Sequence, residues 1–195
     1  MSPGEIQRFE NDILKGQAAP PDLRVLLDVA VSDGGVDPLR EALGFALLVP
    51  GRDYPLLTGS YLNDGDRQNS DIMANVVAID DVLALITIVA EGEDGDMIGY
   101  WHGPERAPIG NAPIVKFDTE GTFGLMQGRT LSEAMLGNTT FADVESFADA
   151  RAWLAGCGIE VEAESWRELS TPEASTQPDK LHKALYEQKR TAARR

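Results

Sequence analysis

The chain contains one cysteine, Cys157, so it cannot close an internal disulfide. Histidine is almost as scarce, with two in 195 residues, of which only His102 lies in the body of the chain. Positive charge is also short: 17 Lys and Arg stand against 32 Asp and Glu, for a net charge of −15. The deficit is uneven. From Glu173 to Arg195 six Lys and Arg face three Asp and Glu, a net of +3, so residues 1–172 carry −18. Such a body repels nucleic-acid phosphates and anionic membranes, and it draws in basic partners. Long apolar runs are missing too. The longest, Val82 to Ala90, is the length of a strand and far short of the roughly 20 residues that cross a bilayer. The opening MSPGEIQRFEND lacks the basic start and apolar middle of a secretory signal, and the expectation is therefore a cytoplasmic protein.

The 43% hydrophobic content is that of a globular chain, and the pattern mixes helical and strand periods. Ile6, Phe9, Ile13 and Leu14 recur at helical spacing, with Gly16 as the stop. Pro21 suits the first turn of a second helix carrying Leu23, Leu26, Leu27 and Ala30, which Gly34 and Gly35 end. Pro38 to Leu43 fits a helical turn, and GFALLVPG a buried strand between Gly44 and Gly51. The segment LNDGDRQNSD reads as a polar loop, Ile72 to Asp81 as either helix or strand, and Val82 to Ala90 as a strand. Asp94-Gly95 marks a hairpin joining that strand to residues 97–102, with positive φ expected at both central positions. A second hairpin runs from Pro113 to Leu125 around Thr119-Glu120-Gly121. Thr130 and Glu133 have capping-box spacing before a short helix ending at Gly137. Thr140 would cap a further helix with Phe141, Val144, Phe147, Ala148 and Leu154 on its apolar stripe. GIEVEAES alternates like a sheet-edge strand, with a row of glutamates outward. After a linker, the basic C-terminal residues read as a weakly amphipathic helix or a solvated tail.

Few residues invite chemistry. His102, beside Trp101, is the one histidine in the body of the chain, and a strand-end packing role outweighs a general base. Asp118 and Glu120 flank a turn, where carboxylates more often shape the backbone than catalyse. Asp64 and Asp66 have the alternation of a calcium loop, but Asn69 and Asn75 stand where its glycine and closing glutamate belong. Cys157 lacks a basic neighbour to activate it, and Gly59-Ser60-Tyr61 lacks the second glycine of a nucleophile elbow. No cofactor and no metal are expected. The strongest surface signal is the acidic run Glu91, Glu93, Asp94 and Asp96 at the first hairpin tip, with Tyr100 and Trp101 nearby as aromatic anchors for a protein partner.

In order, the chain resembles the SUKH superfamily, which holds yeast cell-wall-assembly regulators and many bacterial toxin-immunity proteins. The resemblance is carried by Ile6, Phe9 and Glu10, then Pro21-Asp22 opening a helix through Leu26 and Leu27, then Gly34-Gly35. It resumes with Leu85 to Val89, the acidic turn, Ile98-Gly99-Tyr100-Trp101, and Pro113-Ile114-Val115 leading to Phe117-Asp118-Thr119-Glu120-Gly121, and closes on Thr130-Leu131. It covers residues 5–137, and the stretch from Asp53 to Asp71 departs from the pattern. It implies an α+β fold, a single mostly antiparallel sheet with N-terminal helices beside it, to which this chain adds a C-terminal helix. Residues 1–137 then form the SUKH-like domain, 138–168 an accessory helix and strand, and 169–195 a linker and basic tail. The resemblance also implies a non-enzymatic protein that neutralises a basic toxin domain by occluding it. The alternatives are a regulatory scaffold and a hydrolase built on His102, Asp118 and Glu120.

Overall fold

Five antiparallel strands in sequential order, β1 (Phe45–Leu47), β2 (Ile86–Gly92), β3 (Met97–Trp101), β4 (Ile114–Phe117) and β5 (Phe123–Leu125), form one sheet in the computed structural model. The structure describes residues 3–30, 37–139 and 143–193. This is the expected α+β architecture, with nine α-helices among the described residues. Every residue of β3 is buried, which an antiparallel strand shows only when both sheet faces are covered.

The register separates the two faces. Met97 pairs with Phe117 and Phe117 with Phe123, so the three share a face, and the two phenylalanine rings stack at 4.5 Å. Over this face lie α6 (Ser70–Leu83) and α9 (Pro178–Ala193), the latter bringing the His182 ring edge-on to Phe123 at 5.5 Å. The opposite face carries Ile98, Tyr100 and Ile114. There α2 (Pro21–Val29) is tied to α7 (Leu131–Thr139) by Asp22, whose carboxylate accepts from the Ser132 backbone N–H at 3.0 Å. Beside them α3 (Pro38–Leu43) is held to α7, since the Thr139 hydroxyl donates to the Leu43 carbonyl.

Local rules account for most helix starts. Pro21 and Pro38 occupy first turns, Asp37 accepts from Leu39 N–H at 3.0 Å, and Thr130 accepts from Glu133 N–H at 3.2 Å. Glu133 reaches back to Arg129 N–H, one residue short of the reciprocal capping box. The first helix, α1 (Pro3–Arg8), continues as a wider turn over Phe9–Ile13, burying Phe9 and Leu14.

Several sequence expectations change. The polar stretch expected to be a loop holds α5 (Asp64–Gln68) and the start of α6. Asn63 and Asp66 satisfy each other's backbone N–H at 3.0 Å, and Asn69 caps α6 in turn. The undecided segment 72–81 lies in α6. That helix runs through Leu83, so the strand expected from Val82 begins only at Ile86. Val82 is fully buried at the helix end, a role its branched side chain fills as readily as a strand's. At the first hairpin only Gly95 has positive φ, 83°. Its loop has three residues and closes with Gly92 N–H donating to the Asp96 carbonyl, the bulged alternative to a two-residue turn. Helix α7 runs past Gly137 to Thr139.

GIEVEAES alternates in burial, with Ile159 and Val161 inside, yet has no strand partner. It packs on α8 (Val144–Gly156), with Arg151 donating to the Ala163 carbonyl at 3.2 Å. On α8 the buried stripe is Phe147, Ala150 and Leu154, Val144 and Ala148 are exposed, and Asp143 is the cap. The assignments to Thr140, Phe141, Gly34 and Gly35 lie outside the described residues. Of the two readings of the basic C-terminal residues, a weakly amphipathic helix or a solvated tail, the structure has the helix, α9, docked on α6. His182 contacts Asn75 at 3.0 Å, Lys189 pairs with Asp81 at 2.8 Å and Arg190 with Asp71 at 3.7 Å. Its sheet-facing stripe of Leu181, His182, Leu185, Tyr186, Lys189 and Arg190 is half-buried. None of the helices is long and apolar enough to cross a membrane among the described residues.

Two outcomes test this arrangement. Strand β2 carries an extra residue, Val89, opposite the Gly99–Ile98 step. At that bulge a Cβ on Gly99 would meet the Thr87 carbonyl and lie 2.7 Å from Ile88 Cα. Backbone cannot yield as a side chain does, so Gly99→Ala should cost about 3 kcal/mol and lower Tm by roughly 6–12 °C in a thermal melt. The second concerns His182, whose pKa burial holds below the ordinary histidine value. The unfolded chain then binds the proton more readily, so this contribution to stability is present above about pH 6.5 and is lost as the pH falls. Melts of wild type and His182→Gln between pH 7 and pH 5 should show the wild type losing more stability.

Candidate functional site

Both hairpin tips emerge at the same end of the sheet, because Met97 begins β3 opposite Glu91 on one side and Phe117 on the other. The tips touch: a Cβ on Gly95 would lie 3.7 Å from the Thr119 methyl. The second tip repeats the three-residue form of the first. Asp118 accepts from Glu120 N–H at 3.0 Å and Thr122 N–H at 2.8 Å, and Gly121 has a φ of 83°. Asp118 is therefore committed to shaping the turn, while Glu120 is exposed.

The acidic run divides in two. Glu91 lies within 3.6 Å of Arg40 and 3.7 Å of Arg52, and Asp96 within 3.3 Å of Lys116. The Glu91 and Asp96 side chains keep only 17% and 14% of their exposure, so they are partly spent inside the fold. Glu93 and Asp94 project at the tip. Tyr100 and Trp101, offered by sequence as aromatic anchors, are 3% and 2% exposed. Tyr100 faces the α2 layer, where burial and the nearby Asp22 charge push its pKa well above the usual phenol value. The Trp101 indole N–H donates to the Thr176 carbonyl at 2.9 Å, strapping residues 170–177 to the sheet. Glu105 completes the strap by accepting from the Ser175 and Thr176 hydroxyls at 2.9 and 2.8 Å. Its own backbone N–H and those two hydroxyls hold its carboxyl below the ordinary value. The two aromatic rings are structural, and neither offers a face to a partner.

Behind the tips lies a groove of about 620 Å³, which the sequence reading missed. One wall is a single face of α6, Ile72, Asn75, Val76 and Ile79, at helical spacing. The other is formed by the tips, through Glu91, Met97 and Glu120. Tyr61 and Leu62 close it from the loop that follows α4 (Pro55–Thr58). Tyr61 is 53% exposed, a large aromatic left in solvent at the rim. The floor is apolar and the rim carries Asp66, Glu91 and Glu120. The signal for it was the i, i+3, i+4, i+7 pattern from Ile72 to Ile79, hidden by the helix-or-strand ambiguity.

His102 lies at the other end of the sheet, about one β3 length or roughly 17 Å from the second tip. Its Nδ1 is 2.7 Å from the Ala107 carbonyl and its Nε2 2.7 Å from the Thr87 hydroxyl. A carbonyl only accepts, so Nδ1 carries a proton and in the neutral ring Nε2 accepts from Thr87. The geometry thus does not bring His102 together with Asp118 and Glu120. Among the described residues no three His, Cys, Asp or Glu side chains converge as metal ligands. Burial pushes the Cys157 thiol up, away from nucleophilic character.

Comparison with protein-family models, with curated proteins and with solved structures finds no match.

If Trp101 acts as a strap and not as an anchor, Trp101→Phe should cost about 1–2 kcal/mol through the orphaned Thr176 carbonyl. It should also speed proteolytic nicking within residues 170–177, read by limited digestion and mass spectrometry. Unchanged melting and digestion would remove the strap.

Proposed function

We propose that this chain is a cytoplasmic, non-enzymatic binding protein of the immunity type, which neutralises a basic toxin domain by occluding it. The observation that carries the reading is the apolar groove edged by Asp66, Glu91 and Glu120, at the same end of the sheet as the exposed Glu93 and Asp94. A groove of this kind favours a basic segment with at least one apolar side chain: the apolar group enters between Val76 and Met97 while its flanking cations meet the rim. The −18 carried by residues 1–172 adds long-range attraction that speeds encounter. The SUKH-like order of motifs supports the same class of function. The hydrolase reading has less support, since its three residues lie at opposite ends of the sheet.

The decisive experiment is co-expression with the product of the neighbouring gene, scored by rescue of growth and by isolation of a complex. Rescue and a stable complex are expected, and the absence of both overturns the reading. With that complex in hand, Glu93→Lys/Asp94→Lys should slow association about tenfold at low salt, with the difference shrinking as salt rises. Val76→Asp should act on dissociation and weaken binding by about 2 kcal/mol or more. Unchanged kinetics in both variants would remove this end of the sheet from the interface.

A further inference from the structure

At the end of the sheet opposite the acidic tips a cleft of about 210 Å³ opens beside His102. Its floor is Ile86, Thr87 and His102, and its rim holds Lys15, Gln17 and Arg106. In a chain where acids outnumber bases 32 to 17, no carboxylate lines it among the described residues. Glu105, next to Arg106, is taken up by the Ser175 and Thr176 hydroxyls. Neither rim cation is in an ion pair with a described carboxylate.

The backbone adds an independent observation. Nine described glycines take positive φ, as glycine does without cost. Only two other described residues do so, Lys15 at 53° and Arg106 at 58°, and both are cations on the rim of this one cleft. Lys15 follows the first helical segment and precedes Gly16, while Arg106 closes a turn from Gly103, whose carbonyl accepts its N–H at 3.1 Å. Glycine would serve at either position at lower cost, since a non-glycine residue there stores about 1 kcal/mol or more.

From this geometry we infer that the cleft is a binding site for a small oxyanion of the phosphate class, clamped between Lys15 and Arg106 above the Thr87–His102 floor. Arg106 supplies the forked donors that match tetrahedral oxygens, and Lys15 a second point charge. Thr87 is 8% exposed, so the charges of the clamp are weakly screened on the floor side of the cleft. The volume falls below the roughly 300 Å³ where sites for drug-sized ligands begin, which suits an inorganic ion or a single phosphoryl group.

The test uses the whole chain and two glycine substitutions, Lys15→Gly and Arg106→Gly, which remove the cations and relieve the backbone together. Inorganic phosphate, sulfate and acetate are titrated separately while the His102 ring resonances are followed by NMR, with melting temperature read in parallel. Wild type should show a saturable His102 shift with phosphate, a weaker one with sulfate and the weakest with acetate. Each glycine variant should bind phosphate about tenfold more weakly or worse, while melting no lower than wild type without phosphate. Equal responses to all three anions would overturn the phosphate assignment. A non-saturable shift in wild type, or saturable phosphate binding unchanged in both variants, would overturn the site itself.

Discussion

The complete burial of β3 is the constraint on which the rest of the structure depends. A five-residue strand covered on both faces needs two helical layers, and the chain builds them from distant segments. The α2, α3 and α7 layer is joined through Asp22 and Ser132, 110 residues apart in the chain. The opposite layer comes from α6 and from α9 at the far C-terminal end. Because the Trp101 indole N–H is satisfied by the Thr176 carbonyl, the C-terminal segment is tied to the central strand of the sheet. The buried cluster accordingly includes residues from Phe9 to Leu169. Gly99 belongs to the same requirement. The bulge at Val89 twists β2 against β3, and only a residue without a side chain lets the two backbones approach that closely.

Charge follows a separate logic. A body at −18 repels itself, and the fold moderates this by placing its few cations against particular acids. Arg40 and Arg52 converge on Glu91, Lys116 on Asp96, and Lys189 on Asp81. Each pair is partly exposed and contributes at most about 1 kcal/mol. Their joint effect is to select which acids remain available. At the two hairpin tips Glu93, Asp94 and Glu120 are the acids left outward, at one end of the sheet because two hairpins of the same loop length end at the same level.

Local features were legible in the sequence wherever short-range chemistry decides them. Both hairpins, the Pro21 and Pro38 helix starts and the Thr130 cap follow from one or two residues each. Elements decided by distant partners were not. Residues 158–165 have strand alternation, but α8 supplies the apolar surface and no strand among the described residues pairs with them. Val82 and Leu83 look like strand residues because branched side chains serve a buried helix end equally well. Tyr100 and Trp101 looked like surface anchors because an aromatic pair at a strand end carries no label for which side will be covered. The 63–71 region hid two helices because asparagine caps resemble turn residues in composition. The acidic tip was correctly placed at a turn, yet its partial neutralisation depends on Arg40 and Arg52, which sequence distance conceals.

The docking of α9 shows how these two logics meet. Its stripe of Leu181 and Leu185 is only half-buried, so apolar contact alone is a modest hold. The rest comes from Lys189 and Arg190 reaching Asp81 and Asp71, and from His182 meeting Asn75 beside Phe123. A basic helix has thus been recruited to cover an acidic one, with small residues, Ala74 and Ala78, buried on α6. The neighbouring face of α6, with Ile72, Val76 and Ile79, has the same mixture of apolar side chains and nearby carboxylates but opens to the groove. The intramolecular contact is therefore a physical precedent for the proposed intermolecular one: what α9 satisfies on one side of α6, a basic segment of a partner can satisfy on the other.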